Sequence, residues 1–357
     1  MTSLTDVVDL VIGVDTHVET HTAAAVDART GAVLGHLTVA TTSEGYAALV
    51  AFADDLTEQV GALRVWAVEG TAGHGAGLTR VLTERDEVVL ELDRPVRPAR
   101  RNGAKSDPLD AVRAAREALA RPVQATPRGG GNRQALSVLV TTRRSAVEAA
   151  AVAQRQLFSL VIAAPEPLRD RLRGHRTAEL VERAARLRIQ PSWDTETATT
   201  ATALRTLARR IQAMSAEAAD LQQQILAIVR AWRPDLLAQP GIGPIVAATV
   251  LCAWSHPGRI HSEAAFAMLA GAAPIPANSG QVTTRYRLNR HGDRQLNRAL
   301  HTIALTRQRT HQPTREYTAR RTTEGKTPRE IRRCLKRYIA RELFRLLEHP
   351  HATLDAT

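Results

Sequence analysis

The sequence predicts an α/β amino-terminal domain followed by a mainly helical remainder that ends in a strongly basic region. Three observations carry this. Five short apolar segments of strand-forming residues fall within the first 92 positions, and two of them end in a lone carboxylate, Asp15 and Glu69. Beyond Gly129-Gly130-Gly131 the apolar residues recur instead at spacings of three and four. From Arg285 to Arg345 there are 18 Lys or Arg against 5 Asp or Glu, a local excess of 13 in a chain of net charge +12, so the rest of the chain is near neutral.

At 357 residues the chain exceeds what one core usually holds, and two or three domains are expected. Hydrophobic residues make up 44% but aromatics only 3%, so the cores are filled by Ala, Val, Leu and Ile, and recognition of bases by aromatic stacking does not dominate. The two cysteines, Cys252 and Cys334, lie far apart without a CxxC spacing, which disfavours a disulfide framework or a cysteine-rich zinc site and fits a reducing cytoplasm. The first twenty residues carry Asp6, Asp9, Asp15 and Glu19 and no basic stretch, so no signal peptide is expected, and no uninterrupted apolar run reaches the ~18 residues of a membrane span. The expectation is a soluble cytoplasmic protein with no membrane partner. A carboxyl-terminal surface this cationic attracts a polyanion by counterion release, and nucleic acid is the commonest such partner.

Taken in order, the run Val11-Ile12-Gly13-Val14 is a strand that delivers Asp15 to its end. Thr22 to Val26 and Ala32 to Thr38 are two further strands joined by the turn Asp27 to Gly31, completing a meander. Ser43 to Leu56 is a helix capped by Ser43, with Tyr46, Leu49, Val50, Phe52 and Leu56 at helical spacing. Leu63 to Val68 is a fourth strand and ends in Glu69; residues 74 to 84 are helical, and Glu87 to Leu92 is a fifth strand. After a basic connector, Lys105-Ser106-Asp107-Pro108-Leu109-Asp110-Ala111 opens a helix to about Leu119, capped by Ser106 with Pro108 in its first turn. Asp107 and Asp110, three apart, share one face of it. Any one of these acids alone is an ordinary turn or helix-start residue. Together, three antiparallel strands, helix, strand, helix, strand is the order of an RNase H-like domain, whose adjacent strand ends bring acids together against a helix. Four carboxylates in one pocket repel, and divalent cations are the usual remedy.

Past the glycine linker, helices are expected from Asn132 to about Ile162, from Leu168 to Leu187 with a break near Gly174, and from Thr199 to Arg230. The last carries a narrow stripe from Leu204 to Ile228, which fits a coiled coil or a helical hairpin. Leu236 to Pro244 encloses Gly241-Ile242-Gly243, the turn of a helix-hairpin-helix whose Gly241 and Gly243 amides can meet a phosphate. Ser279, in the loop Pro276-Ala277-Asn278-Ser279-Gly280, is on composition a turn residue. Arg285, Arg287, Arg290, Arg294 and Arg298 follow it as candidate phosphate contacts, and Thr327 to Leu347 is a basic amphipathic helix. The expected segments are 1–125, 126–232, 233–325 and 326–357.

The motifs Gly13-Val14-Asp15, Glu69 after the fourth strand and Lys105-Ser106-Asp107-x-x-Asp110-Ala111 resemble the RuvC-like DEDD domain of the IS110-family transposases, and residues 234 to about 310, with Ser279-Gly280 before an arginine-containing stretch, resemble that family's carboxyl-terminal domain. The resemblance implies a metal-binding tetrad of Asp15, Glu69, Asp107 and Asp110 that takes Mg²⁺, or Mn²⁺, and a nucleophile at Ser279. It further implies a DNA transposase that acts through a covalent phosphoserine intermediate on donor and target DNA, guided by a structured RNA, as a homo-oligomer: a dimer, or a tetramer in the synaptic complex. Such an enzyme works in the cytoplasm, at the bacterial nucleoid when active. It needs no ATP, because the adduct keeps the phosphodiester energy, and the chain has no P-loop. HExxH and GxSxG are also missing. His17 and His21 lie in extended chain, which leaves His17 at most a polar role at the rim of the site. The competing expectations are a hydrolytic RuvC-like endonuclease in which water attacks, and a non-catalytic nucleic-acid-binding protein.

Overall fold

In a computed structural model, which describes residues 3–60, 63–92, 107–121, 124–276, 286–289 and 291–349, the run that ends at Asp15 is the middle strand of a five-stranded sheet. Strands β1 (Leu10–Thr16), β2 (Thr20–Asp27) and β3 (Val33–Ala40) form the antiparallel meander, and β4 (Arg64–Glu69) and β5 (Val89–Leu92) continue it in parallel on the other side of β1, in the order β3-β2-β1-β4-β5. The β2–β3 turn is built by Asp27, whose carboxylate accepts from the amides of Arg29 and Thr30.

Each face of the sheet is covered by helices because the pleat sends alternate residues to opposite sides. Leu10, Ile12 and Val14 of β1, with Trp66 and Val68 of β4, pack on Leu49 and Ala53 of α1 (Ser43–Val60) and Leu78 and Leu82 of α2 (Ala76–Glu84). Val11 of β1, with Val65 and Ala67 of β4, packs on Ala114, Ala115 and Ala118 of α3 (Asp107–Ala120). The small side chains of α3 let it come unusually close. A Cβ added at Gly13 would stand 2.1 Å from the Ala111 carbonyl oxygen and 2.5 Å from the Ala115 nitrogen, so only glycine fits there.

By packing the chain divides into two compact units, residues 1–130 and 131–357. Among its described residues the second is helical apart from a two-stranded antiparallel sheet. It begins with α4 (Gly131–Ala163), α5 (Glu166–Leu172), α6 (Thr177–Ala185) and α7 (Thr195–Trp232). The long apolar stripe of α7 is satisfied within the chain: Leu204, Ala208 and Ile211 pack with Ala153, Leu157 and Val161 of α4 and with Leu180 and Ala184 of α6. An 18-residue window of α4 is apolar enough, by length and composition, to cross a membrane, although no uninterrupted run of that length exists; buried Leu136, Ala153, Leu157 and Val161 of that helix lie in the shared helical cores.

The rest comprises α8 (Pro234–Ala238), α9 (Pro244–Trp254), α10 (Glu263–Leu269), β6 (Pro274–Pro276), β7 (Tyr286–Leu288), α11 (Arg294–Thr310), α12 (Gln312–Thr323) and α13 (Pro328–Glu348). Ile225 and Val229 at the end of α7 share one core with Leu236, Leu251, Phe266, Leu300, Ile303, Ile339 and Leu343. Helices from the expected 126–232, 233–325 and 326–357 segments therefore lie in a single unit. Buried Arg233 ties two of them together, donating to the last carbonyls of α13 at Leu346 (2.8 Å) and Leu347 (3.3 Å) while pairing with Asp235. The capping box Thr327–Glu330 starts α13 one residue later than expected.

Gly13→Ala is expected to lower the stability of the protein by at least about 3 kcal/mol in chemical denaturation, the upper end of the usual overpacking range, because both atoms its methyl would meet belong to helix backbone.

Candidate metal centre

Parallel pairing sets the first two acids side by side. Val14 of β1 is in register with Val68 of β4, so the next residues on each strand are Asp15 and Glu69. Because Val11 and Gly13 on one strand and Val65 and Ala67 on the other face α3, the alternation carries Asp15 and Glu69 to that same face, at the carboxyl edge of the sheet. The third element follows from the Gly13 contact. Asp107 lies four residues before Ala111, about 6 Å along the helix, and Asp15 lies two residues beyond Gly13, about 6.6 Å along the strand. Running back along α3 from its contact with Gly13 therefore brings Asp107 level with Asp15.

The side chains meet there. Asp15 is only 8% exposed, although it is a carboxylate. Its Oδ2 lies 3.1 Å from Nε2 of His17, which lies in turn 3.7 Å from Oδ1 of Asp107. One ligand atom each from Asp15, His17 and Asp107 falls within 4.8 Å of the others. Asp110 stands further round the helix, paired with Arg113 at 2.6 Å. Burial pushes the Asp15 carboxyl above its usual pKa; the His17 imidazole pulls it back, and the charges of Asp110 and Asp107 push it up again. The Glu69 backbone carbonyl accepts from the Thr16 hydroxyl at 2.9 Å, which locks the two strand ends to each other. A buried acid whose neighbours include two more acids, with hard oxygen donors and one imidazole within ligating reach, fits a divalent cation.

Of the residues singled out in the sequence, the structure brings Asp15 and Asp107 together, places Asp110 within electrostatic range, and puts Glu69 on the adjoining strand end. His17 joins the group more closely than the sequence suggested. The usable signal was its spacing of two from Asp15, which in extended chain sends both side chains to one side. His21 belongs to the opposite face, buried and stacked on Tyr46 with its ring centroid 5.7 Å away. Ser279, Arg285 and Arg290, with Lys105 and Ser106, lie outside the described residues. Arg287 is exposed on β7, and Arg294 and Arg298 are exposed four apart on α11.

The turn between α8 and α9 treats its glycines differently. Gly241 has φ +79° and sits where a Cβ would come within 3.3 Å of the Ile303 carbonyl oxygen, so it packs the turn onto α11. Gly243, the N-cap of α9, faces open space.

A mixed sheet whose edge gathers carboxylates against a helix start defines an α/β protein with a candidate cation centre. Comparison with known families gives the more particular statement. Residues 12–162 match the DEDD-type transposase family of IS110 elements, and residues 234–319 match the family described as Transposase IS116/IS110/IS902. The chain belongs to the IS116/IS110/IS902 family of transposases. It is also 31% identical over 164 residues to the "Insertion element IS900 uncharacterized 42 kDa protein" of Mycobacterium paratuberculosis, a match over 44% of this chain and 41% of that protein.

The raised pKa of Asp15 sets the sign of one prediction. The folded state holds that proton more tightly than the unfolded chain, so stability present at low pH is lost as pH rises through the folded-state value. Without metal at neutral pH, Asp15→Asn is expected to melt higher than wild type, and the melting gain that millimolar Mn²⁺ gives the wild type is expected to vanish. Calorimetry with and without Mn²⁺ measures both.

Proposed function

We propose that this chain is a DNA transposase in which an RNase H-like domain holds divalent cations and Ser279 supplies the nucleophile. The observation that carries this is the meeting of buried Asp15 with Asp107 at the sheet edge, beside Glu69 and within reach of the Asp110 charge. Family membership supports DNA as the substrate. Asp15, Glu69, Asp107 and Asp110 would hold Mg²⁺ or Mn²⁺, with His17 beside them. A cation bound there would supply positive charge to offset that of the scissile phosphate.

The roles of the chain's own groups follow. Asp15 and Glu69 are fixed by strand pairing, so the site is organised before substrate arrives. Asp107 is half exposed and open to the substrate side. The Ser279 hydroxyl gives up its proton and attacks phosphorus; the Oγ–P bond forms as the bond to one deoxyribose oxygen breaks, and that oxygen takes a proton. The sugar hydroxyl of a new partner strand then attacks the same phosphorus and releases serine, which joins the exchanged strands. Arg287, Arg294, Arg298 and Gly243 are exposed and suited to phosphate contact, with Arg285 and Arg290 in the same segment, while Gly241 holds the turn that presents Gly243. Donor and target DNA, a structured guide RNA, and assembly as a homodimer or a synaptic tetramer, in the cytoplasm, complete the proposal. The segments are 1–125 for metal binding, 126–232 for the helical middle, 233–325 for the serine-bearing part and 326–357 for the basic helix and tail.

Incubation of wild-type protein with element-end DNA and Mg²⁺ is expected to leave an SDS-resistant protein–DNA adduct, absent from Ser279→Ala and reduced at least a hundredfold in Asp15→Asn. Cutting and joining by Ser279→Ala at the wild-type rate would instead mean that the covalent scheme through Ser279 is wrong. Unchanged recombination by Asp15→Asn combined with Glu69→Gln would mean that the acids hold no catalytic metal.

A further inference from the structure

Five cations converge on one cavity of about 710 Å³ bounded by α11, α13 and the loop between α10 and β6. They are Arg294 from the start of α11 and Arg333, Lys336, Arg337 and Arg341 from one side of α13; no acid lines the cavity among the described residues. Ala272, Ala273 and the ring of Tyr338 also line it, beside the amides of Asn289 and Asn297.

The compensation of these charges is incomplete. Arg337 and Arg341 share a single carboxylate, that of Glu263, at 2.8 and 2.7 Å. Arg337 Nη1 is buried with no hydrogen-bond partner. The Lys336 ammonium, half-buried, donates to the neutral Asn297 amide oxygen at 2.9 Å, and Asn297 is held by its own bond to the Ala270 carbonyl. Burial, with Arg333 adding repulsion, pulls the Lys336 pKa below the ordinary lysine value. Arg294 and Arg333 are exposed and form no ion pair among the described residues, although Arg333 lies within electrostatic range of Glu330. A cation taken out of water without a counter-charge costs stability, and an arriving anion recovers that cost.

We propose that this cavity is a phosphodiester-binding site, in which Arg294, Arg333, Lys336 and Arg337 grip consecutive phosphates of a nucleic-acid strand and Tyr338 lies against its sugars and bases. Arg333, Arg337 and Arg341 recur every four residues and span about 12 Å of helix. A single inorganic phosphate does not fill that length, whereas a run of phosphates does. The cavity also abuts Pro274, the first residue of β6. The proposal rests on the reading that the chain handles nucleic acid, and is independent of the cation centre and of Ser279.

The test is binding by the full-length protein in EDTA, where no metal-dependent step occurs. Fluorescence anisotropy with duplex DNA, single-stranded DNA and single-stranded RNA of equal length, over a range of salt, gives affinity and salt slope for each. In the double variant Arg333→Gln, Lys336→Gln the slope of log K against log salt is expected to fall by about 1.8 for duplex or about 1.4 for a single strand, two lost phosphate contacts, with at least a tenfold loss of affinity for the preferred strand type. A charge-matched control on α6, Arg183→Gln with Arg186→Gln, is expected to keep the wild-type slope. Lys336→Gln alone is expected to melt no lower than wild type and to lose half of the slope change, so it stands in if the double variant is unstable. Arg333→Lys with Lys336→Arg is expected to restore the slope. Wild-type slope and affinity in the double variant, or an equal loss in the α6 control, overturns the proposal. No binding by wild type to any of the three strands overturns the nucleic-acid reading beneath it.

Discussion

The backbone of α3 rests directly on Gly13 of β1, and most of what is distinctive about the first unit depends on that contact. A side chain at Gly13 would lift the helix from the sheet and take Asp107 away from Asp15. Ala111, Ala114, Ala115 and Ala118 make the same approach possible from the helix side. Since the register of β1 against β4 independently fixes Asp15 beside Glu69, the site is set by two backbone relations before any side chain chooses a rotamer. Such pre-setting suits a centre whose acids repel, because no acid can relax away from the others without breaking the sheet or the helix contact.

The two units carry opposite electrostatic burdens. In the first, Asp15 is a nearly buried carboxylate whose proton is held more tightly than usual. In the second, Lys336 is a half-buried ammonium that shares its surroundings with Arg333. Neither arrangement favours the folded protein in isolation. Locally unfavourable choices of this kind gather where a protein binds something, and the sign of each burden names the charge of what would relieve it: a cation at the sheet edge, a polyanion beside α13.

Much of the first unit was legible because its strands are short, apolar and separated by ordinary turn and cap signals, so that the order of elements emerged almost complete. The strand-end acids were legible only as a set, since Asp15 alone reads as a turn residue. His17 was not, because whether it turns toward Asp107 depends on where α3 lies, a distance of some ninety residues along the chain. In the second unit α11 and α12 were hidden: Leu296, Leu300 and Ile303 form a proper apolar stripe, but the arginines between them read as a charged surface. The pairing of β6 with β7 was equally invisible, each strand being three residues long. The cationic cavity is a tertiary feature, formed when α13 brings its arginines to the start of α11, and no local pattern announces it.

The most direct test of the central claim is the position of a bound metal. Crystals of the wild-type protein soaked in Mn²⁺ and measured near the manganese absorption edge are predicted to show an anomalous peak about 2.2 Å from carboxylate oxygens of both Asp15 and Asp107, the distance expected of small divalent cations with oxygen ligands. A clean map with no peak at the carboxyl edge of β1 and β4, or manganese bound only elsewhere, would contradict the account.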